Sequence, residues 1–355
     1  MFEPSQFRDL VSGRRRGVGA SLLRGGLRAA EVPYAWAMRW RNRRYDCGAA
    51  TICRVGVPVV SVGNLTLGGT GKTPLVAWLG RWFGTRRIAV AVVSRGYGAP
   101  AGGQNDEALE LAARLPGVPH LQNADRVAAA RQAIGQFHCQ AILLDDAFQH
   151  RRLARDLDIV LLDALEPFGF GHVFPRGTLR EPLEGLRRAD VVALSRADML
   201  EPAAREEVRR QVERLAPQAL WLEVTHAPRT LLAASGAVEP LESWRGRPLA
   251  AFCGVGNPAG FRHTLSVCGY TLAGFREFPD HHAYTPRDQE TLAAWAAQCQ
   301  AAALLCTQKD LVKLGVDQLG GRPLRAVGID MEILTGQEAL EARLETSAVP
   351  SPASP

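Results

Sequence analysis

Apolar residues come in short, mostly continuous runs along most of this chain, and each run stops at polar or glycine-containing sequence. Residues 57–62, 87–93, 141–144, 159–162, 191–194 and 220–224 are such runs, with 118–121 as a shorter one. Their length and lack of alternation predict strands buried on both faces, the pattern of a parallel sheet. Between them, 106–115, 124–137 and 201–215 space their apolar residues as amphipathic helices do. Buried strands alternating with helices predict a doubly wound α/β layer. Composition shifts at His226-Ala227-Pro228 and again through 236–248. Beyond that the rhythm resumes, with strands at 249–253, near Phe275, at 302–306 and at 324–329, and helices at 260–267 and 286–300. The expected organisation is a basic segment over 1–50, an α/β core over 51–225, a smaller α/β domain over 226–346, and a disordered Pro/Ser/Ala-rich tail over 347–355.

At 355 residues the chain is long enough for two ordinary domains, and 46% apolar with 22% charged residues are globular values. The net charge of +6 is unevenly placed. Residues 1–50 hold ten arginines against four acids, an excess of six, so residues 51–355 are formally neutral. That distribution argues against a nucleic-acid-binding surface spread over the protein. Leu22, Leu23, Leu27, Val32, Tyr34, Trp36, Met38 and Trp40 interleave with those arginines. Arginine with interfacial aromatics predicts an amphipathic helical segment on an anionic membrane surface, in preference to a disordered basic arm or a helix packed on the core. There is no continuous apolar h-region at the N-terminus and no run of about eighteen apolar residues, so neither a secretory signal nor a conventional spanning helix is expected. Cys47, Cys53, Cys139, Cys253, Cys268, Cys299 and Cys306 show no C-x-x-C spacing. They predict a reduced cytosolic chain without a disulfide framework or zinc site, most of them small core residues.

Thr66-Leu67-Gly68-Gly69-Thr70-Gly71-Lys72-Thr73 falls between the run at 57–62 and the helical Pro74-Leu75-Val76-Ala77-Trp78-Leu79. Strand, glycine-rich turn, Gly-Lys-Thr and helix is the context of a phosphate-binding loop. Glycines let backbone N–H groups close on phosphate oxygens, and the helix N-terminus adds partial positive charge. Lys72 is placed to reach the β- and γ-phosphates of ATP, and the Thr73 hydroxyl to hold Mg2+. The usual pattern has glycine where this chain has Thr66. Gly68 to Thr73 also resembles the loop of partitioning-type ATPases, which carry a signature lysine where this chain has Leu67. The expected fold class is therefore α/β: a P-loop-containing doubly wound parallel sheet domain, a second, smaller α/β domain, and an N-terminal amphipathic helical segment.

Asp145 and Asp146 close the run at 141–144, where a Walker-B carboxylate holds Mg2+ directly or through water. Such acids also serve as helix caps, and the upstream loop favours the metal. Gln149 and His150 follow within one helical turn, in reach of the same cleft. Asp106-Glu107 opens a helix, equally suited to capping or to catalysis. Arg180-Glu181, in Pro175-Arg176-Gly177-Thr178-Leu179-Arg180-Glu181-Pro182, is either a surface ion pair or the support of a phosphate-facing arginine. Phe278-Pro279-Asp280-His281-His282-Ala283-Tyr284 gathers two histidines, an acid and aromatics, without the further ligands a metal site needs. Ser195-Arg196-Ala197-Asp198 and Thr307-Gln308-Lys309-Asp310 each close a strand, as nucleotide-base loops of P-loop proteins do.

Seven segments, taken in order, make the chain resemble the tetraacyldisaccharide 4′-kinase family, the lipid A 4′-kinases of Gram-negative bacteria. They are Ser61-Val62-Gly63-Asn64-Leu65 leading to Gly71-Lys72-Thr73; Ser94-Arg95-Gly96-Tyr97-Gly98; Asp145-Asp146-Ala147-Phe148-Gln149-His150; Leu179-Arg180-Glu181-Pro182; Gly254-Val255-Gly256-Asn257-Pro258; Phe278-Pro279-Asp280-His281; and Thr307-Gln308-Lys309-Asp310. Thr66 fits that family's loop, which tolerates Ser or Thr at this place. The resemblance implies two α/β domains joined by a short β linker, with ATP and Mg2+ in the cleft. It implies a basic N-terminal segment on the cytoplasmic face of the inner membrane, peripheral or monotopic. It also implies a catalytic aspartate in a Gly-Asp-Glu-Pro motif, which corresponds here to Asn105-Asp106-Glu107-Ala108. The acids match and the flanking residues differ. Asp106 is thus the expected catalytic residue, with His281 as its partner from the second domain.

The reaction this implies is transfer of the ATP γ-phosphoryl group to the 4′-hydroxyl of a lipid disaccharide 1-phosphate. Lys72, the loop amides and Mg2+ at Thr73, Asp145 and Asp146 are expected to offset phosphoryl charge. Arg95, Gln149, His150, Arg180 and Glu181 are the expected substrate or phosphate contacts. The expected partners are the membrane-held lipid and the anionic surface, with no nucleic acid and no obligate protein partner. The competing expectation is a membrane-recruited ATPase switch of the partitioning type, against which Leu67 counts. A P-loop kinase of a soluble metabolite is a third, disfavoured by the arginine- and tryptophan-rich start.

Overall fold

The computed structural model describes residues 4–96, 106–280 and 282–349. Its elements run α1 (Pro4–Val11), α2 (Val18–Asp46), β1 (Val59–Asn64), α3 (Lys72–Thr85), β2 (Val90–Ser94), α4 (Asp106–Arg114), β3 (His120–Gln122), α5 (Arg126–Phe137), β4 (Ala141–Asp145), β5 (Leu157–Asp163), β6 (Val191–Ser195) and α6 (Pro202–Leu215). They continue β7 (Leu220–Leu232), β8 (Val238–Glu239), β9 (Pro248–Cys253), α7 (Pro258–Val267), β10 (Thr271–Glu277), α8 (Pro286–Gln298), β11 (Ala303–Thr307), α9 (Gln308–Leu314), β12 (Gln318–Leu319), β13 (Arg322–Thr335) and α10 (Gln337–Ala348). The described residues fall into two compact units. The first draws on Met1–Gly96, Gly117–Thr225 and Ile333–Pro355, the second on Tyr97–Pro116 and His226–Glu332.

In the first unit the strands lie in the order β7-β6-β5-β1-β4-β2-β3, all parallel. β1, β2, β4, β5 and β6 are buried along their whole length, which is why they read as apolar runs without alternation. Successive residues still point to opposite faces. Val160, Leu162, Val192 and Leu194 pack with Val208 and Val212 of α6 and Ala35 of α2, whereas Ala91, Val93, Ile142 and Leu144 pack with Val127, Ala130 and Ala133 of α5. β1 sits between β4 and β5. The chain leaves β1 towards β2 on one side and later crosses to β5 on the other, so the sheet's switch point lies at the C-terminal end of β1. Gly63 lets the next turn approach: a Cβ there would lie 2.6 Å from Phe148 Cβ and 2.7 Å from its backbone N.

The second unit holds parallel β10-β9-β11-β13, with β12 antiparallel to β13 and β8 antiparallel to the end of β7. Its core places Phe252, Leu304 and Ala326 against Leu292 and Ala296 of α8 on one face, and Ala251 and Leu305 against Phe261 and Leu265 of α7 on the other.

Several expectations change. The boundary expected at His226-Ala227-Pro228 lies inside β7, which stays extended through it to Leu232. The composition shift marks the passage between units and not a loop. Residues 106–116, placed with the first domain by their sequence position, group with 226–332. The stretch expected to be disordered from Ser347 includes the end of α10, which runs to Ala348 and buries Leu340, Leu344 and Ala348; residues 350–355 lie outside the described residues. All seven cysteines are free, with Cys139, Cys253, Cys268 and Cys306 buried.

The N-terminal segment is helical but not a free arm. α2 spans 29 residues with Pro33 inside it. One side buries Ala20, Ala35 and Asn42, while Trp36 and Trp40 are 67% and 53% exposed. Among the described residues, no helix is long and apolar enough to cross a membrane.

Candidate active site

The loop from Thr66 to Thr73 links β1 to α3 at the switch point. Gly68 and Gly71 take φ of 118° and 86°, backbone that L side chains rarely adopt. Gly71 is the N-cap of α3, and no side chain caps the helix, so its first N–H groups are left for an anion. The Thr70 hydroxyl is buried without a protein partner among the described residues. The outer edge of the loop is pinned. Asn64 Nδ2 donates to Thr66 O at 2.8 Å, and Leu67 N donates to Thr178 O at 2.7 Å. Arg196 Nη2 donates to Gly69 O at 3.0 Å while its Nη1 holds Asp163 at 2.9 Å. Ser195-Arg196-Ala197-Asp198, expected as a base loop, thus fastens the phosphate loop through Arg196.

Beside the loop, one carboxylate collects the cations. Lys72 Nζ lies 3.5 Å from Asp146 Oδ1, and Arg180 Nη1 reaches the same oxygen at 2.7 Å. Burial would raise the Asp146 pKa, but Lys72 and Arg180 outweigh it and hold it down to about 2. Asp146 also has φ of 52°, a left-handed conformation uncommon for a residue with a side chain, and such outliers cluster at functional sites. Asp145 is buried at the end of β4, in register with Val62 of β1. Thr73 is buried in the first turn of α3. Hydroxyl and carboxylate oxygens are the hard donors Mg2+ prefers, and Asp146 is held ionised, so this donor set fits that cation.

Arg126 was missed by the sequence reading. It opens α5 and is only 5% exposed; its Nη1 donates to Ala124 O at 3.3 Å, and its Nε has no partner among the described residues. Burial lowers its pKa, with Arg95 adding to this and Asp146 and Asp145 opposing it, which places its charge among theirs. The available signal was position: a basic residue just beyond the C-terminal end of β3, at the sheet edge where ligands bind. Arg95 follows β2 and is exposed.

Gln149 and Glu181 are joined in one hydrogen-bond network behind the loop. Glu181 is fully buried and accepts from Asn42 Nδ2 at 2.6 Å, Arg188 Nη2 at 2.8 Å and Gln149 Nε2 at 3.1 Å. Gln149 Nε2 also donates to Asn64 O at 3.0 Å. α2 joins this network further through Tyr34 OH, which donates to Arg180 O at 3.1 Å, and Arg41, which donates to Gln149 O at 3.2 Å. The His150 Nε2 is buried without a partner among the described residues, and burial, then Arg126 and Arg155, push its pKa down to about 4. Asp106 belongs to the second unit, where Lys313 pairs with it at 2.9 Å. His281 lies outside the described residues.

A sequence model of the family described as LpxK, tetraacyldisaccharide-1-P 4′-kinase, matches residues 23–348. The chain belongs to the tetraacyldisaccharide-1-P 4′-kinase family. It is 42% identical over 351 residues to a tetraacyldisaccharide 4′-kinase of Anaeromyxobacter dehalogenans (strain 2CP-C), covering 93% of this chain and 92% of that relative. The tetraacyldisaccharide 4′-kinase of Geobacter sulfurreducens is 36% identical over 357 residues, covering 96% and 98%. Among solved structures it is similar to the "apo" form of LpxK from Aquifex aeolicus in complex with ATP, with TM-score 0.71, 28% identity, and coverage of 92% of this chain and 99% of that one.

Proposed function

We propose that this chain transfers the γ-phosphoryl group of ATP to the 4′-hydroxyl of tetraacyldisaccharide 1-phosphate, the kinase step of lipid A biosynthesis. Family membership over nearly the whole chain carries the reading. The site supports it: a glycine loop opens an uncapped helix beside Lys72, Arg180 and Arg126. Phosphoryl transfer has little covalent chemistry for a protein to do, so positioning and charge supply most of the catalysis. The loop amides and Lys72 bind and orient the terminal phosphates, with Thr66 to Thr73 wrapping them. Arg180, Arg126 and the exposed Arg95 add positive charge where the transferring group becomes more anionic. Thr73, Asp145 and Asp146 hold Mg2+, which when bound neutralises phosphate charge. Behind the loop Gln149 holds Asn64 and is itself held by Glu181, Tyr34 holds the Arg180 backbone, and His150 backs the same turn. Asp106, oriented by His281, accepts the hydroxyl proton late, worth about 10²–10⁴-fold.

The exposed Trp36 and Trp40 on an arginine-rich helix support a peripheral seat on the anionic cytoplasmic face of the inner membrane. The lipid's acyl chains then remain in the bilayer while its sugar reaches the loop. Purified protein, γ-labelled ATP and detergent-dispersed tetraacyldisaccharide 1-phosphate test the reading. Label should move to lipid. Label released only as free phosphate, at a rate indifferent to lipid, would point instead to an ATPase switch.

A further inference from the structure

Two lysines on α9 meet the two acids that open α4. Lys313 Nζ lies 2.9 Å from Asp106 Oδ2, and Lys309 Nζ lies 3.0 Å from Glu107 Oε1. The four side chains are between 11% and 26% exposed, so the pairs are shielded from the water that makes most surface ion pairs weak. Burial disfavours charge on Lys309, but Glu110 and Glu107 outweigh it, and the ammonium is held above its ordinary range. α9 is itself anchored. Fully buried Asp310 accepts from Tyr284 OH at 2.9 Å, Thr307 Oγ1 at 2.6 Å and Gly254 N at 3.1 Å. The far end of α4 is tied as well, because Arg114 donates to Ile329 O at 2.6 Å and pairs with Glu110 at 2.9 Å.

Adjacent residues of a helix project about 100° apart, so one cation cannot hold both acids from one side. Two lysines one turn apart on a facing helix can. Held at two directions, the first turn of α4 can neither rotate about its axis nor slide. This matters because misplacing a reacting group by about 1 Å costs on the order of 10²-fold in rate.

We infer that Lys313 and Lys309 are positioning residues for the kinase reaction, a two-point clamp that sets the orientation of the Asp106 carboxylate. The inference rests on Asp106 being the residue that takes the hydroxyl proton. Lys313→Met and Lys309→Met should each lower kcat about tenfold or more while leaving KM for ATP within about twofold, and Lys313→Arg should recover part of the loss. Glu107→Lys and Lys309→Glu should each lower kcat, and the two together should restore most of it at unchanged melting temperature. That reciprocal rescue is a readout that mere loss of folding cannot mimic. If Asp106→Asn abolishes transfer while both Met variants keep kcat within about twofold, the clamp is wrong and the role of Asp106 stands. If the paired swap fails to rescue, the clamp is likewise overturned. If Asp106→Asn transfers phosphate at the normal rate, the reading beneath it fails.

Discussion

Lys72 Nζ stands 3.5 Å from Asp146 Oδ1, and Asp146 holds that place with a left-handed φ of 52°. The lysine of the phosphate loop is therefore steered by a carboxylate whose backbone conformation is costly. Replacing Lys72 by Met removes the charge and keeps most of the stem. Label transfer from ATP to lipid should fall by about 10²–10³-fold or more, the usual loss when one preorganised charge donor is removed. Calorimetric stability should change little by comparison. A variant that still transfers at near the normal rate would remove Lys72 from the mechanism.

The same pairing makes a pH prediction. Lys72 and Arg180 hold Asp146 down to about 2, below the ordinary 3.8, against burial that pushes the other way. A carboxyl depressed in the folded state stabilises above the unfolded pKa, and loses that contribution as pH falls towards the folded one. Urea midpoints of the natural protein and Asp146→Asn should therefore differ by a constant amount above about pH 4 and converge towards about pH 2. A gap that persists unchanged to pH 2 would mean the ion pairs do not form in solution.

His150 predicts a second window, with a different group. Burial, then Arg126 and Arg155, push its imidazole down to about 4 from 6.5. The unfolded chain takes up that proton first, so stability is fully present above about pH 6.5 and falls between there and about pH 4. His150→Gln should flatten the stability profile across that interval. If the natural protein and the variant lose stability in parallel from pH 6.5 to 4, the imidazole is not held neutral.

Glu181 separates scaffold from chemistry. Its carboxylate is fully buried and pairs with Arg188, itself mostly buried. Glu181→Ala leaves that guanidinium without its partner, and breaking a buried pair this way costs about 3–5 kcal/mol. The melting temperature should drop sharply. KM for ATP should rise as well, because Gln149 links Glu181 to Asn64 beneath the loop. Glu181→Met with Arg188→Met should regain much of the melting temperature, since removing both charges avoids the orphan. Full stability in Glu181→Ala alone would show that the network is dispensable.

The parts legible in the sequence were those governed by local rules. Strands buried on both faces wrote themselves as apolar runs, and the glycines at Gly68 and Gly71 marked a turn whose φ values only glycine adopts readily. What depended on distant partners was not legible. Nothing near Glu181 in sequence reveals Asn42, 139 residues away, as its hydrogen-bond partner. Arg126 looked like an ordinary helix residue because its surroundings come from β2 and β4. Residues 106–116 were assigned by sequence order alone, and the lysines paired with their acids lie about two hundred positions on: Lys309 and Glu107 are separated by 202. The extent of β7 through Pro228 was hidden for a related reason. The strand passes from the first unit to the second at Thr225–His226 and runs on to Leu231 and Leu232, which pair with β8, although its own residues suggest a break.

The N-terminal helix makes the last prediction. Its inner side is committed to the loop scaffold, with Tyr34 bonded to the Arg180 backbone and Asn42 to Glu181. Its outer side leaves Trp36 and Trp40 exposed, and Arg44 lies 5.1 Å from the centre of the Trp40 ring. An amphipathic helix in this state gains from seating its aromatic rings at the headgroup boundary, and its arginines from anionic lipid, about 1 kcal/mol for each near the surface. Trp36→Ala with Trp40→Ala should therefore weaken flotation with vesicles containing anionic phospholipid. The folded core should be untouched, because neither ring is buried. Raising the salt should weaken binding of both proteins, as screening acts on the arginine contribution and not on the rings. Activity on a short-chain, freely soluble disaccharide should survive the double substitution, while activity on vesicle-borne lipid should fall. Unchanged flotation and unchanged activity on vesicles would overturn the membrane contact proposed for this helix.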